Sequence, residues 1–111
     1  MTPPEGTFVA QVRNGAILIP PPLRQYCESG NWTLFRFDIV DPHHLTMRPV
    51  LPDDTQSSFH ASLAPDGLLW IPAEVRQSVA LGEQSVMLRI EEGAIHVYIR
   101  KVFDTLGFRP R

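Results

Sequence analysis

Polar and apolar residues alternate from Phe8 to Arg13: Phe8, Ala10 and Val12 on one side, Val9, Gln11 and Arg13 on the other. Phe59, Ala61 and Leu63 alternate in the same way with His60, Ser62 and Ala64. A period of two predicts half-buried strands. Each run ends in a turn, Asn14-Gly15 or Asp66-Gly67. Asx-Gly between apolar runs signals a hairpin, because both residues tolerate positive φ. A short apolar strand is predicted after each turn, Ala16–Ile19 and Leu68–Ile71. Pro20 and Pro72 then stop the strands. Proline suits the start of a helix, having a pre-set φ and no N–H to satisfy. Short helices are predicted over Pro21–Cys27 and Ala73–Ala80, closed by Ser29-Gly30 and Leu81-Gly82. Glu74 falls near the positive end of the second helix.

Trp32–Phe37 and Ser85–Ile90 read as further strands, with Val86, Leu88 and Ile90 on one face. Ala94–Ile99 alternates with Ile95, Val97 and Ile99 inward. Its predicted partner is His44–Val50, with Leu45 and Met47 inward. Glu91-Glu92-Gly93 is the turn before it. Arg100–Phe108 is predicted to form a terminal helix with Val102, Phe103 and Leu106 apolar.

The pattern repeats itself. Asn14–Gln25 aligns with Asp66–Gln77 at a constant offset of 52, and Gly, Ile, Pro, Arg and Gln coincide. Residues 1–111 therefore read as a single domain containing repeat 1 (7–50), a linker rich in Pro, Asp, Ser and Thr (51–58), and repeat 2 with its terminal helix (59–108). Each repeat is β-β-α-β-β and too small to bury a core alone. Two copies are expected to pack as a pseudo-two-fold barrel.

Composition narrows the class. Hydrophobic residues make up 43% and charged residues 20%, near the globular averages of about 45–50% and about 25%. Eleven prolines, about twice the usual share, cut the chain into short elements and favour β architecture. No apolar run approaches the ~18–20 residues of a membrane span, and no basic-then-apolar segment opens the chain as a signal peptide would. A cytoplasmic protein is expected. The single cysteine, Cys27, excludes an internal disulfide and a cysteine-based zinc cluster. The net charge of −2 argues against non-specific nucleic-acid binding but leaves room for a local patch. The basic residues are nine Arg and one Lys; arginine suits planar contacts to phosphate or carboxylate.

The string Gly-x-x-x-Ile-Pro-x-x-ψ-Arg after a strand and an Asx-Gly turn resembles the AbrB/SpoVT-like swapped-hairpin superfamily. Two such units in one short chain resemble MraZ, a family of bacterial transcriptional regulators. The second half is the better match, with Asp66-Gly67, Ile71-Pro72-Ala73-Glu74-Val75-Arg76, Ala80-Leu81 and the strand pair ending Ile95–Ile99. The resemblance spans roughly residues 6–106. It implies a mainly β fold with short helices, a swapped-hairpin β-barrel built from two pseudo-two-fold β-β-α-β-β repeats. It also implies a homo-oligomer that binds DNA through many weak phosphate contacts. The family pattern has an arginine directly after the turn glycine, where this chain has Ala16 and Leu68. The alternative is thus a divergent relative that has lost DNA binding and serves as a protein-interaction or scaffold domain.

Arg24 and Arg76 match the family arginine after Ile-Pro. They either reach phosphates or tie helix to sheet. Arg13, just before the first turn, contacts a partner or lies on a solvated strand edge. Arg36, Arg48, Arg89 and Arg100 read as solvent-facing strand residues. Trp70 lies in a strand apolar on both faces and is expected to be buried or at an interface. His43 and His44 face opposite sides of a strand and make a poor shared metal site. Cys27 reads as a buried free thiol, and Asp38, Asp41, Asp53 and Asp54 as solvated turn residues. No phosphate loop, nucleophile elbow or catalytic triad order is present. No enzyme activity, no cofactor and no metal are expected. DNA, further copies of the chain and a protein are the partners considered.

Overall fold

Asn14 and Gly15 both take positive φ, 54° and 83°, and close the first hairpin in two residues, with Arg13 opposite Ala16. This is the turn that matches the natural twist of paired strands. Glu92 and Gly93 do the same near the end of the chain, at 54° and 73°. The second Asx-Gly turn is one residue longer. Ala64 N donates to Leu68 O at 2.9 Å, with Pro65, Asp66 and Gly67 between them.

The computed structural model describes residues 4–51, 59–79, 81–82 and 84–99. Among them the chain forms β1 (Phe8–Arg13), β2 (Ala16–Leu18), α1 (Pro21–Ser29), β3 (Leu34–Asp41) and β4 (His44–Pro49). These are followed by β5 (Phe59–Ser62), β6 (Leu68–Trp70), α2 (Ala73–Ser78), β7 (Ser85–Glu91) and β8 (Ala94–Ile99). The predicted terminal helix over 100–108 and residues 52–58 of the predicted linker lie outside the described residues. No helix among the described residues is long and apolar enough to cross a membrane.

The strands are antiparallel and run in the order β5-β3-β4-β8-β7-β1-β2-β6. The two ends meet through a bridge between Leu63 and Leu69, so the sheet is a nearly closed barrel. Closure hides most of the unpaired backbone that an open edge would expose. The predicted partnership of β4 with β8 is present, with Leu45 opposite Val97 and Met47 opposite Ile95. The other long-range pairings cross the chain. β1 pairs with β7, β3 with β5, and β2 with β6 about the central pair Ile17 and Leu69.

Alternation fills the barrel. Ala10, Val12, Ile17, Phe35, Phe37, Leu45, Met47, Leu69, Val86, Leu88, Ile95, Val97 and Ile99 are all buried. The helices plug it, with Leu23 and Cys27 from α1 and Val75 from α2 fully buried. Trp32 precedes β3 and packs edge-on against Tyr26 and Phe35, with ring centroids 5.2 Å and 6.4 Å apart.

Several boundaries differ from expectation for local reasons. α1 runs on to Ser29, and its closing Gly30 keeps a negative φ of −97°. The left-handed residue is Asn31, at 60°. α2 stops at Ser78 because Val79 turns extended (φ −127°, ψ 162°), which carries its side chain into the core. Leu81-Gly82 therefore does not cap it. β3 begins at Leu34 rather than Trp32 and continues to Asp41, its pairing with β4 shifting between Ile39 and Asp41.

Candidate nucleic-acid interface

The Ile-Pro segments place two arginines against the turns of the opposite half. Arg24 N and Arg76 N each make the first i→i−4 bond of their helix, to Pro20 O at 2.9 Å and Pro72 O at 3.0 Å. Helical side chains tilt toward the N-terminus, so both reach back past the proline. There the strand ends cross. Ile19 N donates to Gly67 O at 2.9 Å, and Ile71 N donates to Gly15 O at 2.8 Å. Each turn is held against the start of the other half's helix.

The turn glycines make room for the arginines. A Cβ at Gly67 would stand 2.9 Å from Arg24 Nη1, and one at Gly15 would stand 3.0 Å from Arg76 Cζ and Nε. Both glycines also have positive φ, so conformation and close approach favour the same residue. Arg76 Nε donates to Ile71 O at 3.1 Å, which ties α2 to the end of β6. Neither arginine joins an ion pair among the described residues. A cleft of about 180 Å³ opens beside the first turn, lined by Val12, Asn14, Gly15, Arg76, Leu81 and Gly82. Arg13 is exposed at the end of β1. Around the second turn, Asp66 Oδ1 accepts from Leu68 N at 3.1 Å.

Between the two turns lies the β2/β6 ribbon, and its outer surface is apolar. Ala16 is opposite Trp70 and Leu18 opposite Leu68. Ala16 is buried, while Trp70 is 54% and Leu18 48% exposed. Trp70 is thus not a core residue: the pleat turns its neighbours Leu69 and Ile71 inward, and the indole faces out.

Among the described residues, the remaining arginines are engaged elsewhere. Arg36 Nη2 lies 3.3 Å and Arg48 Nε 3.8 Å from Asp38 Oδ2, and Arg89 Nη2 lies 3.2 Å from Glu91 Oε2. Arg36 and Arg48 are cross-strand neighbours on β3 and β4; Arg100 lies outside the described residues. Asp38 is accordingly a strand residue shared by two cations, not a turn residue. Asp41 accepts from His43 N at 2.7 Å, as a turn aspartate does; Asp53 and Asp54 are not described.

Sequence reasoning missed one constellation. His44 Nε2 and His96 Nδ1 are 3.0 Å apart, and His44 stacks on Tyr98 with centroids 4.5 Å apart. The predicted β4–β8 pairing, carried through to its outward side chains, would have found it. No group of three or more metal-ligating side chains occurs among the described residues. Cys27 is buried, and burial, with a smaller contribution from Glu28, pushes its thiol up to about 11.

No family model matches the chain, and no curated protein matches it.

Proposed function

We propose that this chain is a DNA-binding transcriptional regulator of the MraZ/AbrB type, acting in the cytoplasm at the nucleoid as an oligomer. It would consist of two swapped-hairpin β-β-α-β-β repeats. The observation that carries the reading is the reciprocal approach of Arg24 to Gly67 and of Arg76 to Gly15. The exchange of partners between halves supports it, β1 with β7 and β3 with β5. In this reading Arg13 and Arg76 contact phosphates while Arg24 packs over Gly67, and oligomerisation sums weak contacts into useful affinity. The test is a titration with DNA from the protein's own upstream region at two salt concentrations. Saturable binding that weakens steeply with salt is expected; no binding at low salt by folded protein rejects the reading.

A second reading is favoured by the β2/β6 ribbon. Ala16 and Leu68 occupy the family's arginine positions, and Trp70 and Leu18 expose apolar surface between the turns. Such a surface fits a scaffold or protein-interaction domain that has given up DNA. Self-association without DNA binding, abolished by Trp70→Ser, is the outcome that selects it.

A further inference from the structure

The two arginine-on-glycine corners share a backbone plan but differ in charge. At the first, Arg13 pairs with Ala16, the turn is Asn14-Gly15, and Arg76 lies over the glycine. At the second, Ala64 takes the place of Arg13 by bonding to Leu68, Asp66 replaces Asn14, and Arg24 lies over the glycine. Among the described residues, the first corner thus carries two arginines, and the second carries one arginine over a turn that contains a carboxylate. The 180 Å³ cleft lies at the first corner, and none of the described residues that line it is acidic.

Arg76 is also prepared for a ligand. Its Nε is fixed to Ile71 O and its guanidinium rests on Gly15, while Nη1 and Nη2 have no hydrogen-bond partner among the described residues. An arginine held in this way loses little further side-chain freedom when an oxyanion arrives. A free planar edge suits two oxygens of one phosphate.

We infer that this chain binds phosphate through one corner only: the cleft at Asn14-Gly15, with Arg76 as its anchor and Arg13 at its rim, takes a single phosphate group of the DNA backbone. The Asp66-Gly67 corner keeps the same frame but carries a carboxylate in its turn, where the first corner has the neutral amide of Asn14. This rests on the proposed regulator reading and adds an asymmetry to it. Each chain thus offers DNA one anchor.

The experiment compares DNA affinity of folded wild-type protein with that of four variants. Arg76→Gln and Arg13→Gln are expected to weaken binding, Arg76→Gln by about tenfold, with a salt slope shallower by about one for each. Arg24→Gln is expected to leave affinity within about twofold. The double variant Ala64→Arg/Asp66→Asn rebuilds the first corner's charge at the second and should tighten binding. This readout survives if Arg76→Gln fails to fold. Separately, inorganic phosphate titrated into labelled wild-type protein should shift the amide resonances of Asn14, Gly15 and Gly82 and leave Gly67 unmoved. Equal losses from Arg24→Gln and Arg76→Gln would overturn the asymmetry while leaving the regulator reading intact. Phosphate shifts at the first corner without any DNA binding would remove the regulator reading and keep the anion site. Phosphate shifts at both corners, or at neither, would overturn the inference.

Discussion

Gly15→Ala tests the contact between a turn and the opposite helix. Gly15 has φ 83°, and an L-residue there costs about 1–2 kcal/mol. The new methyl would also stand 3.0 Å from Arg76 Cζ and Nε. The guanidinium must shift, which endangers the Nε bond to Ile71 O, worth about 1 kcal/mol. The expected total is about 2–3 kcal/mol. Gly93→Ala is the matched control. It sits in the same kind of two-residue turn, with φ 73° and no atom within 4 Å of an added Cβ, so it should cost only the backbone share of about 1–2 kcal/mol. Any gain from restricting the unfolded chain is common to both and cancels. Urea unfolding followed by tryptophan fluorescence gives both values. In an Arg76→Ala background the excess of Gly15→Ala over Gly93→Ala should vanish. If there is no excess, or if it persists without Arg76, the contact does not constrain the turn.

Leu69→Ala removes a fully buried side chain at the centre of the β2–β6 pairing and should cost about 2–5 kcal/mol by the same assay. A loss below 1 kcal/mol would show that this pairing is not part of the core. The Cys27 thiol, pushed from 9.0 to about 11, should resist alkylation at pH 8 until the protein is unfolded. Because the unfolded chain ionises first, stability should be intact below pH 9 and fall as pH rises toward 11. The fall should be absent in Cys27→Ala, and an identical alkaline profile in that variant would refute it. Trp70→Ser should change monomer stability by less than about 0.5 kcal/mol yet dissociate the proposed oligomer in analytical ultracentrifugation. An unchanged oligomer would remove Trp70 from the interface.

Local chemistry was legible in the chain itself. Asn14-Gly15 closes a hairpin because both residue types accept positive φ, and the turn expected at Glu91-Glu92-Gly93 is closed by Glu92-Gly93 alone, with Glu91 paired to Ala94. Pro20 and Pro72 end strands and open helices because their rings fix φ and remove a donor. Alternation marked Ala10, Val12, Leu45, Met47, Val86, Leu88, Ile95, Val97 and Ile99 as inward, since a pleated strand has only two faces. Tertiary structure decided the rest. A period of two says which face is buried but not which strand lies alongside, so the crossing of β1 to β7 and of β3 to β5 was hidden. The exposure of Trp70 was hidden too, because a strand apolar on both faces does not reveal which face meets the core. The seating of Arg76 on Gly15 and of Arg24 on Gly67 joins residues some sixty and forty positions apart. Neither contact has a local signature: each exists only where closure of the barrel sets one half's turn against the other half's helix.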